Sequence, residues 1–256
     1  MNILVTNDDG IFAPGLRALV AALLPLGPVR VVAPEREQSA CGHSITLHKP
    51  LRMDAVDLDG LGVEAFSTNG TPADCVILGC LTAATPPDLV MSGINRGANL
   101  GEEVLYSGTV SAAMEAAIQR RKSVALSVAS YTADDYGAAA RVGARLAEIL
   151  AEIDLPADSF LNVNVPPGPW GEIAGVAITR LGKRDYINRV DRREDPRGRP
   201  YYWFTGSPQE ATAGEGTDIA AIADGKISIT PVHFDLTGYA SLVGLESLAA
   251  RLMGEG

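Results

Sequence analysis

Strand-like and helix-like segments alternate along the first two-thirds of the chain, and this alternation limits the fold more than any other feature. Short apolar runs at residues 3–5, 29–33 and 89–91 are typical of buried strands. Helical periodicity follows such runs, for example at residues 14–24 and 134–153. Alternation of this kind predicts an α/β fold with a doubly wound, mainly parallel sheet and helices on both faces.

The character of the chain changes near residue 180. Residues 183–200 are crowded with charge, arginine and glycine, and four aromatic residues, Tyr201 to Phe204, follow directly. We expect a projecting, β-rich arm whose aromatics pack on a partner subunit, because exposed aromatic clusters are unfavourable in a monomer. Packing on the arm's own domain is the open alternative. The predicted division is a core domain over 1–182, the arm over 183–235, and a C-terminal helix packing on the core over 236–256.

Two local signals add detail to the first half of the chain. Asp59-Gly60 lies between strand-like runs at 51–56 and 63–67, which indicates a β-hairpin. Thr71-Pro72 is typical of an N-cap followed by proline at the first helical position, so a helix is predicted to begin there.

Composition narrows the class of protein. With 256 residues, 46% of them hydrophobic and 20% charged, the chain fits one large α/β domain. A net charge of −10 argues against nucleic-acid binding, which depends on lysine and arginine. Cys41, Cys75 and Cys80 fit a reducing compartment, and the last two are predicted to be small core residues. Because the sequence shows neither a leader segment nor a membrane span, we expect a cytoplasmic protein.

Two adjacent carboxylates, Asp8 and Asp9, stand where the first apolar run stops. The carboxyl ends of strands in an open α/β sheet form the crevice in which ligands bind. Two neighbouring carboxylates in such a crevice repel each other and lose hydration, which a hard divalent cation would relieve. The alternative from the residues alone is that one Asp caps the next helix and the other faces water.

Two further polar loops can reach the same edge of the sheet. The loop over residues 34–44 carries Ser39, whose hydroxyl is a suitable ligand for a hard metal, and the loop over residues 92–99 carries Asn95, whose amide oxygen is another. With Asp8 and Asp9 they offer four oxygen donors, to which water can be added to complete a Mg²⁺ or Mn²⁺ site. Each residue taken alone is also an ordinary turn or cap residue.

The segment Ser107-Gly108-Thr109 precedes a predicted helix and is typical of an anion site. Gly108 allows close approach of the backbone, the two hydroxyls can donate hydrogen bonds, and the helix start offers unpaired N–H groups. Such a site suits phosphate. A simple N-cap formed by Thr109 is the alternative reading.

These motifs resemble those of the SurE (survival protein E) family. The resemblance runs from residue 1 to about residue 240 and is carried by residues 2–10, 33–44, 69–74, 92–101, 106–115 and 230–237. It implies a Rossmann-like domain with a C-terminal arm exchanged between subunits of a homodimer or homotetramer. It also implies a metal-dependent phosphatase that acts on nucleoside 5′- and 3′-monophosphates, and in some members on short polyphosphate.

Carried over residue by residue, the resemblance implies that Asp8, Asp9, Ser39 and Asn95 bind one divalent cation per subunit. It further implies that Ser107, Gly108 and Thr109, together with Asn95, contact the substrate phosphate. All of these residue types are intact in this sequence.

Direct transfer of the phosphoryl group to water, assisted by the metal, is the expected mechanism. Either Asp8 or Asp9 can accept the proton of the attacking water, and the sequence does not choose between them. A covalent route through Asp8 is less favoured, because enzymes that use it have an Asp-x-Asp pattern. His43 either protonates the leaving group or makes a local hydrogen bond.

Two other classes of protein remain as alternatives. A nucleotide sensor would use the same anion site without turnover, and it would not need two adjacent acids. A nicotinamide-dependent oxidoreductase is disfavoured, because the glycine fingerprint is absent after the first strand. Recognition of the base is expected from the loops and the arm, where an aromatic residue among 201–203 can stack on it.

Overall fold

The structure is a computed structural model that describes residues 1–58, 60–183, 189–205, 214–252 and 254. Its strands are β1 (Ile3–Thr6), β2 (Val29–Pro34), β3 (Met53–Ala55), β4 (Glu64–Thr68), β5 (Leu89–Arg96), β6 (Lys122–Val128), β7 (Ser159–Val165), β8 (Gly175–Ile178), β9 (Arg189–Glu194), β10 (Pro200–Thr205) and β11 (Lys226–His233). Its helices are α1 (Pro14–Leu23), α2 (Pro72–Leu81), α3 (Gly108–Ile118), α4 (Gly137–Glu152), α5 (Asp218–Ala223) and α6 (Tyr239–Leu252).

A nine-stranded, mostly parallel sheet forms the centre of the molecule, in the order β3-β4-β2-β1-β5-β6-β7-β11-β8. Strands β4, β2, β1, β5, β6 and β7 are parallel to one another, whereas β3 is antiparallel to β4 and β11 is antiparallel to β7. The chain moves outward from β1 through β2 to β4 and then returns to β5 on the other side of β1. Strands β1 and β5 are therefore neighbours, and the strand order reverses between them. In open α/β sheets, a ligand crevice forms at such a topological switch point.

Helices cover both faces of this sheet, which confirms the predicted fold class. Successive side chains of β1 point to opposite faces, so Ile3 and Val5 pack in one apolar cluster while Leu4 packs in another. The first cluster contains the buried residues of α1 and α4, and the second contains those of α2 and α3 nearest the sheet. Burial on both faces explains why the central strands read as continuous apolar runs.

Local sequence signals account for several element boundaries. Helix α2 begins as predicted: the Thr71 hydroxyl accepts a hydrogen bond from the Asp74 N–H, and the Asp74 carboxylate accepts one from the Thr71 N–H. This reciprocal capping box satisfies two donors that a helix start would otherwise leave unpaired. Strands β3 and β4 pair antiparallel, as the hairpin signal indicates, but Asp59 in the connection lies outside the described residues.

The C-terminal third differs in part from the predicted division. Strands β9 and β10 form a separate antiparallel pair with exposed aromatics. Strand β11, which falls in the predicted arm, pairs with β7 and β8 in the main sheet. The helix α6 was expected to pack on the core, but five of its larger side chains are exposed: Tyr239, Leu242, Leu245, Leu248 and Leu252.

The cysteines agree with the sequence analysis. Cys75 and Cys80 are buried in the second apolar cluster, Cys41 is partly exposed, and all three are free. Along the described part of the chain, no helix combines the length and the apolar character that crossing a membrane requires.

Candidate active site

Asp8 is a buried carboxylate held by the start of α3. The Thr109 N–H donates to its Oδ2 at 3.0 Å, and the Thr109 hydroxyl donates to its Oδ1. Burial raises the pKa of Asp8 from 3.8 to about 6, against the opposing effect of the Thr109 hydroxyl, and the neighbouring charge of Asp9 adds to the increase. No basic side chain contacts this carboxylate in the part of the chain that the structure describes. An ionised Asp8 therefore favours a cation at this position.

Asp9 is half-buried and points to the neighbouring loop instead. Its Oδ2 accepts a hydrogen bond at 3.2 Å from the N–H of Arg96, the last residue of β5. Desolvation by burial raises the pKa of Asp9, while the Arg96 N–H and guanidinium oppose that change and Glu37 adds to it. Within the described residues, no donor to the Asp9 Oδ1 is found. That oxygen is available to a ligand.

The turn that carries both acids is fixed locally. The Asn7 amide donates to the Gly10 carbonyl at 2.9 Å, and the Gln38 N–H donates to the Asp8 carbonyl at 2.7 Å. Gly10 has a φ of +101°, a backbone conformation that side chains rarely allow. The second hydrogen bond links this turn to the loop that carries Ser39, so the two polar loops are placed against each other.

Ser39 and Asn95 line the same cavity as the two carboxylates. The exposed Ser39 hydroxyl donates to Glu37 Oε1 at 2.5 Å. The Asn95 amide nitrogen donates to the Gly97 carbonyl at 2.9 Å, which leaves the amide oxygen for another partner. Asn95 therefore presents the atom that a hard cation prefers.

The Ser107-Gly108-Thr109 turn begins α3, as predicted, but its three residues make different contacts. Ser107 is the N-cap, and its hydroxyl oxygen accepts a hydrogen bond from the Val110 N–H at 3.1 Å. Thr109 is fully buried, and both of its donors point to Asp8. In this structure Thr109 positions the Asp8 carboxylate, and its contact with a phosphate stays a prediction.

Gly108 is required by the close approach of α3 to the first loop. A Cβ at this position would lie 2.7 Å from the Cβ of Asp8 and 3.1 Å from the Sγ of Cys41. Asp8 cannot move away freely, because its carbonyl accepts from the Gln38 N–H and its carboxylate accepts from the Thr109 N–H. The glycine therefore sets the spacing between the acids and the start of the helix.

One cavity of about 1140 Å³ brings these loops together, and we call it the edge cavity. Five predicted site residues line it, of which the first four are predicted metal ligands and the last two predicted phosphate contacts: Asp8, Asp9, Ser39, Asn95 and Ser107. Gly108 follows Ser107 directly at the start of α3, whereas the Thr109 side chain turns inward to Asp8. The cavity lies at the switch point between β1 and β5, where the carboxyl ends of parallel strands meet.

The remaining cavity wall contains residues that the sequence analysis did not single out. Glu37, Glu102 and Glu103 add negative charge, and Arg96 adds a cation. Tyr106 and Tyr131 add aromatic surface. Arg96 could have been predicted from the sequence, because it is next to Asn95 in the glycine-rich segment. Tyr131 could not, because it follows a strand without a polar motif.

A buried polar network supports the loop after β5. The Asn99 N–H donates to Asn164 Oδ1 at 2.8 Å, and its carbonyl accepts from the amides of Asn162 and Asn164 at 2.8 and 3.0 Å. The Asn99 amide donates to the Ser127 hydroxyl at 2.8 Å. Four hydrogen bonds therefore fix one residue of the cavity wall to β6 and β7.

A second buried hub lies behind the same wall. The fully buried Asp218 accepts hydrogen bonds from the N–H groups of Gly101, Gly182 and Ile219 at 2.7 to 2.9 Å. Gly101 begins the short helix of the cavity wall, and Gly182 immediately precedes the arm. One carboxylate thus joins the cavity wall to the base of the arm.

His43 makes a local contact outside the edge cavity. Its Nε2 lies 2.8 Å from Oε2 of the buried Glu115 on α3. The contact links the loop that contains Ser39 to α3, the helix that begins at the Ser107-Gly108-Thr109 turn. This arrangement agrees with the local hydrogen bond that was one of the two alternatives for His43.

The fold and the cavity define a Rossmann-like α/β protein with an acidic, oxygen-rich ligand pocket at the carboxyl edge of its sheet. The family model described as "Survival protein SurE" matches residues 3–188. The chain is 54% identical over 242 residues to a 5′-nucleotidase SurE of Moorella thermoacetica, covering 94% of this chain and 93% of that protein. It is 50% identical to the 5′-nucleotidase SurE of Carboxydothermus hydrogenoformans, over 99% of this chain and 98% of the relative.

A solved structure agrees with these matches. The crystal structure of the SurE protein from Aquifex aeolicus superimposes with a TM-score of 0.85 at 43% identity, covering 97% of this chain and all of that one. The chain therefore belongs to the SurE family, as the motifs of its sequence predicted.

Proposed function

We propose that the protein is a metal-dependent 5′-nucleotidase, which hydrolyses nucleoside monophosphates to nucleoside and phosphate. The observation that carries the proposal is the convergence of two acids, two neutral oxygen donors and a helix N-cap on one cavity. The names of the close relatives support the same activity, since they are 5′-nucleotidases. Adjacent acids are of little use to a protein that only binds an anion, which favours catalysis over sensing.

The residues of the cavity fit a hard divalent cation. Asp8, Asp9, Ser39 and Asn95 offer carboxylate, hydroxyl and amide oxygens, the donor types that Mg²⁺ and Mn²⁺ prefer. No cluster of three or more His, Cys, Asp or Glu able to hold a metal occurs in the described ranges. The proposed set does not need one, because half of it is neutral. We propose that one Mg²⁺ or Mn²⁺ binds to these four residues in each subunit.

When bound, the cation supplies a Lewis acid for a phosphate oxygen and lowers the pKa of a nearby water. The two acids then have different duties. Asp8 is held on both oxygens by Thr109, which keeps it fixed as a ligand. Asp9 retains Oδ1, and we propose that Asp9 binds the cation through one oxygen while its other oxygen accepts the proton of the attacking water.

The start of α3 is the proposed binding site for the phosphate group. We propose that the Ser107 hydroxyl and the Gly108 N–H donate to phosphate oxygens, where the positive end of the helix dipole adds to the attraction. Arg96 lines the same cavity and opposes part of its negative charge. Together these groups stabilise the charge that develops on the transferred phosphoryl group.

Activity on 3′-monophosphates and on short polyphosphate, and a cytoplasmic location, complete the proposal. The test is phosphate release from nucleoside 5′- and 3′-monophosphates and short polyphosphate by metal-stripped protein, with and without Mg²⁺ or Mn²⁺. Asp9→Asn, which keeps the shape of the side chain, is the matched variant. Asp158→Asn, an exposed acid outside the cavity, is the control.

Release that a metal restores, and that Asp9→Asn lowers by orders of magnitude while remaining folded, is the expected result. Nucleotide binding without release under any metal would instead identify a sensor. Equal release by the metal-stripped and metal-loaded protein would remove the metal from the proposal.

We also propose that the arm assembles a homodimer or homotetramer. Phe204 of β10 lies opposite Val190 of β9, so the two share a face, and they are 94% and 57% exposed. Tyr202 continues this face, and the exposed leucines of α6 add a second apolar surface. A partner subunit would remove both surfaces from water. In this proposal the arm consists of β9 and β10, the main domain includes β11, and α6 packs on the partner.

Light scattering after size-exclusion chromatography tests this assembly. Replacing both Tyr202 and Phe204 by Ser should shift the protein toward the monomer mass as concentration falls. Leu81→Ser, at an exposed apolar residue of α2, should leave the mass unchanged. A monomeric wild-type protein at all concentrations would contradict the proposal.

A further inference from the structure

Tyr131 places an aromatic ring in the wall of the edge cavity. It follows β6 at the carboxyl edge of the sheet and lines the cavity beside Asp9, Asn95 and Arg96. The residue is 73% exposed, so much of its ring is accessible from the cavity. Tyr131 is neither a proposed metal ligand nor a proposed phosphate contact.

One side of the ring lies against the backbone of Gly97. A Cβ at Gly97 would be 2.5 Å from Cε1 and 2.8 Å from Cδ1 of Tyr131. Gly97 has a φ of +116°, and its carbonyl accepts the hydrogen bond from the Asn95 amide. The position of the ring is therefore tied, through one glycine, to a proposed metal ligand.

The turn that carries Tyr131 is also fixed. The Ala129 N–H donates to the Val165 carbonyl at 2.8 Å, and the Thr132 N–H donates to the Ser130 hydroxyl at 3.3 Å. A tyrosine has only two side-chain torsions, so holding its ring costs little conformational entropy. The ring is therefore a positioned aromatic surface in the wall of the edge cavity.

We propose that Tyr131 stacks on the nucleobase of a bound nucleoside monophosphate and so determines the preference for nucleotides over other phosphate esters. This inference rests on the proposed function. Glu37, Glu102 and Glu103 make the cavity wall unfavourable for a second anionic group, whereas a neutral, planar base suits an aromatic face. Stacking accepts every base, because each has a π face, so the site selects nucleotides as a class.

Adenosine 5′-monophosphate and ribose 5-phosphate form a matched pair of substrates, since only the first has a base. We expect Tyr131→Ala to lower kcat/KM for the nucleotide by roughly 5- to 100-fold, the usual range for loss of one base–aromatic stack. The value for ribose 5-phosphate should stay close to wild type. Tyr131→Phe should keep the preference, and Phe12→Ala, at an exposed aromatic outside the cavity, should not change it.

Equal losses on both substrates, or no loss on either, would overturn the assignment. Loss of the preference in Tyr106→Ala and not in Tyr131→Ala would move the stacking role to the other tyrosine of the cavity and also overturn it. Calorimetric binding of the two compounds separates this inference from the proposed function. Tighter binding of the nucleotide that depends on Tyr131, without phosphate release from any substrate, would support the stacking role and refute the nucleotidase.

Discussion

Replacing Asp8 by Asn should stabilise the metal-free protein at neutral and alkaline pH. The carboxylate is buried and its pKa is raised from 3.8 to about 6, so its charged form is less favourable in the folded state than in the unfolded chain. A tenfold change in proton affinity corresponds to about 1.4 kcal/mol, so the ionised carboxylate costs the fold about 3 kcal/mol. The asparagine amide can keep both contacts, accepting from the Thr109 N–H and donating to the Thr109 hydroxyl oxygen.

The sign of the pH dependence follows from the raised pKa. Below the unfolded value near pH 4, Asp8 is protonated in both states and costs nothing. The wild-type protein then loses stability as the pH rises toward about 6, and the loss stays constant above that pH. The variant has no ionisable group at this position. Its free energy of unfolding should therefore be close to that of the wild type at pH 4 and exceed it by about 3 kcal/mol at pH 8.

Urea unfolding followed by circular dichroism, in the presence of a chelator, measures this difference across the pH range. Asp158→Asn provides the control, because an exposed acid should give no comparable gain. A gain that is absent at pH 8, or that is constant from pH 4 to pH 8, would refute the electrostatic account of this site. Excess Mg²⁺ should reverse the order by stabilising the wild type more than the variant, since a ligand that binds the folded state adds to its stability.

Three further substitutions test the geometry of the cavity. Gly108→Ala should lower kcat/KM by up to about 100-fold, since the new Cβ displaces Asp8, and activity assays at saturating metal would reveal it. Asp218→Ala leaves two buried N–H groups and a third, partly buried one without an acceptor, and it should cost about 3 kcal/mol in urea unfolding. Asp224→Ala, at an exposed residue, should cost under about 1 kcal/mol. His43→Gln should stay near wild-type activity, because a general acid would lose about 100-fold or more.

Much of the fold was predictable because its signals are local. The apolar runs of the central strands, the Thr71-Pro72 capping signal and the hairpin strands are decided by neighbouring residues, and each is present in the structure. The position of β11 in the main sheet was not predictable in this way. The sequence of β11 is an apolar run that would fit a strand of the arm equally well. Only its pairing with β7 and β8 shows that it belongs to the main sheet.

The candidate site shows the same limit at the level of single side chains. Sequence motifs indicate which residue types collect at the sheet edge, and the edge cavity contains five of them. The motifs do not indicate in which direction each side chain points. Ser107 lines the cavity, whereas the side chain of Thr109, two residues later, points inward to Asp8. That contact joins residues 101 positions apart, so it depends on how α3 packs on the central sheet.

The same long-range contact gives the two adjacent acids different properties. Asp8 is saturated by Thr109 and buried, while Asp9 keeps one oxygen for the cavity. A sequence shows only two equal carboxylates, and it left open which of them accepts a proton. Once α3 is in place the pair is no longer equivalent, because an acid that already accepts two hydrogen bonds is fixed as a ligand and the other can exchange partners. The division of labour between Asp8 and Asp9 is therefore a consequence of helix packing and not of the Asp-Asp motif itself.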